Sequence, residues 1–163
     1  MTPRPSTLIL GWGNPGRGDD GLGPAFIEAL SAYALPAVEL ASDYQLNPED
    51  AADAARHGRV VFVDADRLAP APFRMRRLRP GRLEPAFTTH GVEPGAVLAL
   101  CRDLFGAEPE AWLLGIRGYA FDAFDDTLSL GARANLARAL EFVRTSVASG
   151  SFGEGDRCPN PSA

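Results

Sequence analysis

The run RVVFVD, residues 59–64, constrains the fold more than any other stretch of the chain. Val60 to Val63 are consecutive, apolar, and β-branched or aromatic, between an arginine and an aspartate. Such a run reads as a strand buried on both faces, the habit of parallel sheets covered by helices on each side. TLILG at 7–11 and AWLLGIR at 111–117 have the same character, and AVELASD at 37–43 reads as a further strand. Helical spacing separates them. Leu22, Phe26, Ile27 and Leu30 mark a helix over 22–34. Asn47 with Pro48 predicts a capped helix running through the alanines to about His57. Residues 93–104 form another, and Leu136, Leu140 and Val143 stripe a long helix over 129–146. PFRMRRLR at 72–79 is expected to be an outer strand. Alternating strands and helices imply an α/β three-layer sandwich. Its largely parallel, twisted sheet has about five strands, with helices on both faces.

The chain of 163 residues suits one domain, expected over 1–148, with a Gly-, Ser- and Pro-rich tail at 149–163 expected to be disordered. A hydrophobic content of 45% can fill a core. No apolar run approaches the roughly 18 residues of a membrane span, and the opening apolar segment is too short for a secretory signal. Cys101, in an apolar helical pattern, and Cys158, in the tail, make no disulfide framework, which fits a reducing cytoplasm. A net charge of −5 argues against nucleic acid as the main partner. With no apolar stripe left over once the helices pack, a monomer is expected. All sixteen basic residues are arginine, and Arg67, Arg74, Arg76, Arg77, Arg79 and Arg82 crowd one region. They read either as armour on an exposed strand or as a docking patch for an acidic partner.

In open α/β sheets the ligand crevice lies beyond the carboxyl ends of the strands. Three chemistry-bearing residues share that edge: Asp20 in the loop after the first strand, Asp64 ending RVVFVD, and His90 in the loop FTTHG. Two carboxylates and an imidazole suit a borderline divalent ion such as nickel or zinc, with coordination positions left open. Each also has a structural reading. Asp20 or Asp19 can cap the helix starting near Leu22, Asp64 can accept loop N–H bonds, and His90 can be an ordinary loop residue. Asp66 is expected in a solvated loop, and His57 as a charge complement to a helix C-terminus. Gly11, Gly13 and Gly16 match the spacing of a dinucleotide-binding loop. However, the helix is postponed past Asp19 and Asp20, whose carboxylates would repel a pyrophosphate.

GWGNPGRGDDGLG, followed by VFVDA and TTHG, resembles the hydrogenase maturation proteases over about Leu8 to Val143. The most specific element is Gly11, Gly13, Asn14, Asp19, Asp20 and Gly23. The resemblance implies a phosphorylase/hydrolase-like fold and an endopeptidase that removes a C-terminal extension from a nickel–iron hydrogenase large-subunit precursor. It implies that Asp20, Asp64 and His90 bind nickel, which the precursor itself can supply and for which zinc or another divalent ion can substitute. The same trio would serve catalysis. Water would be activated either by metal or by a carboxylate, for which Asp19 and Asp64 are candidates. Many members carry a D-G-G-T-like stretch after the second strand that contributes to substrate choice. Here the region reads ASDYQLNPED, with Tyr44, Gln45 and Leu46 after Asp43, which leaves the particular hydrogenase open. GWGNPG is also similar to the opening of the peptidyl-tRNA hydrolases, but their following histidine segment is replaced by GDDGLG. A non-catalytic metal-binding or assembly module of the same fold is the remaining alternative.

Overall fold

The computed structural model describes residues 6–81, 92–122, 124–153 and 158–159. In chain order the elements are β1 (Thr7–Trp12), a 3-10 turn (Gly18–Gly21), α1 (Leu22–Leu30), β2 (Val38–Asp43), α2 (Asp50–Ala55), β3 (Arg59–Asp66), β4 (Phe73–Leu78), α3 (Pro94–Phe105), β5 (Glu110–Arg117) and α4 (Leu130–Ser149). The five strands form one sheet in the order β2-β1-β3-β5-β4. β2, β1, β3 and β5 run parallel, and β4 pairs antiparallel with β5. The expected three-layer α/β sandwich is what the chain forms.

Strand alternation divides the core in two. Ile9, Val61, Val63, Trp112, Leu114 and Ile116 point to the face covered by α1 and α4, where Phe26, Leu30, Ala139 and Val143 meet them. Leu8, Leu10, Val60 and Phe62 point to the other face, against Ala51 and Ala54 of α2 and Val97, Leu98 and Cys101 of α3. The central strands are therefore apolar on both sides, as RVVFVD required. β1 connects through α1 to β2 on one side, while β3 connects onward to strands on the other. The chain reverses its winding between β1 and β3, and such a switch point opens a crevice at the carboxyl ends of the strands.

Four expectations need correction. α1 ends at Leu30 rather than near residue 34, and the residues after it are exposed. Asn47 does not cap α2. Its side-chain amide donates instead to Asp43 Oδ2 and the Gln45 carbonyl, both at 3.2 Å, and Glu49 takes the N-cap position. β3 runs on through Asp66, which is therefore a strand residue rather than a loop one. The tail is not wholly outside the fold. Phe152 is 2% exposed, packs against Trp112 with ring centroids 6.0 Å apart, and lies under the Arg59 guanidinium. A lone aromatic in a polar, glycine-rich stretch gives no periodicity by which to find it. His57 closes an element as expected, bridging the Asp53 carbonyl at 2.7 Å and Glu39 Oε2 at 2.9 Å.

The arginine-rich segment is an outer strand. Phe73 and Met75 of β4 are buried, Arg74, Arg76 and Arg77 are exposed, and Arg77 pairs with Glu110. No helix among the described residues is long and apolar enough to cross a membrane.

Candidate functional site

The loop after β1 is shaped by close backbone approach. Gly13 has φ +146, and a Cβ there would lie 1.9 Å from the Asp20 carbonyl oxygen. A Cβ on Gly23 would lie 2.3 Å from the Trp12 carbonyl oxygen. Only glycine lets the chain double back and seat the start of α1 on the end of β1. Asn14 fixes the turn: its Oδ1 accepts the Gly16 N–H at 2.9 Å, and its own N–H donates to Asp20 Oδ2 at 2.9 Å. Asp20 is thereby held by one oxygen. Among the described residues nothing bonds the other.

The neighbouring Asp19 has a different environment. Its side chain is fully buried. Oδ2 accepts from Tyr119 N–H at 2.8 Å, Ala120 N–H at 2.9 Å and the Ser129 hydroxyl at 2.7 Å, and Oδ1 from Ser129 N–H at 2.8 Å. Burial by itself would raise the Asp19 carboxyl, but the donors outweigh it and hold it below its ordinary value. Asp19 thus fastens the segment after β5 and the N-cap of α4 to the first loop. Fully buried, held by four donors and absent from the lining of the cleft that holds Asp64, it serves structure, and the general-base role its sequence position allowed falls to Asp64. Asp19 does not cap α1 either.

Asp64 stands near the carboxyl end of β3, across from the end of β1. Asp20, Asp64 and Asp66 line one open cleft of about 480 Å³ with Arg67, Leu68, Leu113, Gly115 and Phe121. One Asp64 oxygen accepts the Ala65 N–H at 2.8 Å. Burial, opposed in part by that bond and reinforced by the carboxylates of Asp20, Asp66 and Glu93, pushes the Asp64 carboxyl up to about 7. Among the described residues no arginine pairs with Asp20 or Asp64. Asp66 Oδ1 is occupied by the N–H groups of Leu68 and Ala69, so its role is to shape the turn after β3.

His90 lies outside the described residues, and among those described no three His, Cys, Asp or Glu side chains form a metal-binding group. Two of the three expected ligands therefore share a cleft, and the third is not placed. Asp43 and Tyr44 line a separate groove of about 240 Å³ on the β2 side of the loop, with Gly13, Pro15, Pro24 and Ser42. Sequence reasoning placed Arg67 in an arginine-rich segment read as armour or as a docking patch, and passed over Phe121. Both turn out to wall the cleft, and no local pattern ties residues so far apart.

Solved structures share this fold. The hydrogenase maturating endopeptidase HybD from E. coli is 26% identical, with a TM-score of 0.69 over 88% of this chain and 93% of that one. An endopeptidase from Escherichia coli is likewise 26% identical, with a TM-score of 0.67 over 90% of this chain and 94% of that one. The [NiFe] hydrogenase maturation protease HycI from Thermococcus kodakarensis is 23% identical, with a TM-score of 0.67 over 88% of this chain and 92% of that one. No protein-family profile and no curated protein matches the chain. The resemblance read in the sequence is borne out by these neighbours, which span nearly the whole described chain.

Proposed function

We propose that this chain is a hydrogenase maturation endopeptidase that removes a C-terminal extension from the large-subunit precursor of a nickel–iron hydrogenase. It acts as a monomer in the cytoplasm. Nickel belongs to the substrate: a loaded precursor presents its ion to Asp20, Asp64 and His90, and this contact sets the scissile bond in the cleft. The observation that carries the reading is the pair Asp20 and Asp64, facing one open cleft at the switch point of the sheet, with no arginine among the described residues paired to either. Two such carboxylates attract a divalent ion, and an imidazole would complete a set suited to nickel or zinc.

The acid–base work falls to Asp64. A carboxyl pushed up to about 7 exchanges its proton readily near neutral pH. In its ionised form it can take a proton from the attacking water, and in its protonated form it can return one to the leaving amine. Asp20, pinned by the Asn14 N–H, offers its remaining oxygen to the ion.

The test is processing of a nickel-loaded large-subunit precursor, followed by the mass of the product. The parent chain is expected to shorten the precursor, while Asp20→Ala, Asp64→Ala and His90→Ala leave it intact. A parent chain that cleaves no such precursor, or variants that cleave it as the parent does, would overturn the proposal.

A further inference from the structure

Arg67 is built into the cleft wall in a way that surface armour does not require. The turn after β3 is tied down on several sides. Asp66 Oδ1 accepts the Leu68 and Ala69 N–H groups at 2.8 and 3.0 Å. The Gly118 N–H donates to the Asp66 carbonyl at 3.1 Å, and Arg117 Nη1 donates to the Ala69 carbonyl at 2.9 Å. The backbone is fixed, yet the side chains it presents are given little to do inside the fold. Leu68 is 89% exposed. Arg67 Cζ stands 4.1 Å from the centroid of the Phe121 ring, itself 7% exposed, and both residues line the cleft. Stacking uses the flat face of a guanidinium and leaves its in-plane N–H groups directed outward, the geometry that grips a carboxylate with two parallel bonds. Three carboxylates line the same cleft, but among the described residues none pairs with Arg67.

We propose that Arg67, stacked on Phe121, binds a carboxylate of the peptide segment that occupies the cleft, while Leu68 covers an apolar side chain beside it. The inference rests on the endopeptidase reading and deepens it by giving the substrate class. The floor of the cleft, with Asp20 and Asp64, suits a cation; the wall, with Arg67, suits an anion. A segment that satisfies both carries its metal and an acidic group within one cleft's length of each other. Arg67 is then a specificity-determining residue.

Side-chain NMR of the full-length, metal-free chain tests this without any cleavage. One probe is the Arg67 Nε–Hε resonance, assigned by its loss in Arg67→Lys; the backbone amide shifts of Leu68 and Gly115, present in parent and variants alike, give the affinities. Three acetylated dipeptides are titrated: leucyl-glutamate amide, leucyl-glutamine amide, and leucyl-glutamine with a free terminal carboxylate. The glutamate amide is expected to move the resonance and to bind about 10-fold more tightly than the glutamine amide, a difference that Arg67→Ala abolishes. Arg67→Lys, which keeps the charge and loses the fork, falls between. A response to the free-acid peptide alone supports the site and assigns the carboxylate to a chain terminus. If neither carboxylate moves the resonance more than the glutamine amide does, the assignment is overturned. A chain that shows the Arg67 response but processes no precursor loses the endopeptidase reading and keeps the carboxylate site.

Discussion

Asp19 and Asp64 are acids at the same edge of one sheet with opposite fates. Asp19 is fully buried, yet four donors outweigh that burial and its carboxyl is lowered. Asp64 is raised to about 7, by burial first, with one backbone donor to oppose it and carboxylate neighbours to add to it. Burial pushes both carboxyls up, and the donors aimed at each decide whether it is answered. An acid left short of donors beside other acids is held ready for a cation or a proton.

The largest effect expected from breaking this contrast is on stability. Asp19→Ala strands buried donors on Tyr119, Ala120 and Ser129, and is expected to cost about 3–5 kcal/mol in chemical denaturation. Gly13→Ala forces a Cβ against the Asp20 carbonyl oxygen in a left-handed backbone, and is expected to cost about 2–3 kcal/mol. Asp64→Asn works the other way. It removes a charge from a crowded acidic cleft, and is expected to gain about 1 kcal/mol at pH 8 while losing precursor processing.

The contrast also has a pH signature. Asp64 is raised in the fold from an ordinary 3.8, so its ionisation opposes folding and stability falls as the pH climbs from about 4 through 7. Asp64→Asn should flatten that slope. Asp19 is lowered, so its contribution is present above its ordinary 3.8 and is lost as the pH falls below it. Denaturation midpoints of the parent and Asp64→Asn between pH 3 and pH 8 separate the two. Equal slopes in both proteins would mean that Asp64 is not perturbed.

Much of this was legible because it is local. RVVFVD announced a doubly covered strand, and GWGNPGRGDDGLG announced a strand, a tight turn and a delayed helix. The glycines of that loop act within a few residues of one another, through contacts such as Gly23 on Trp12. What stayed hidden depends on distant partners. Asp19 looked equivalent to Asp20 because the groups that saturate it lie 100 to 110 residues away. Arg67 looked like one more arginine of a crowded segment, armour or docking patch, because Phe121 reaches it only through the folded sheet. Phe152 was lost in a tail whose composition suggests no order, although it completes the core beside Trp112.

The central claim is that Asp20 and Asp64 together meet a divalent ion. Calorimetric titration of nickel into the parent, Asp20→Ala and Asp64→Ala at pH 8 tests it most directly. The account predicts one site in the parent, weakened at least about 10-fold in either variant, with parent affinity falling as the pH drops below about 7 and Asp64 gains its proton. Parent-like nickel binding in both variants would contradict it.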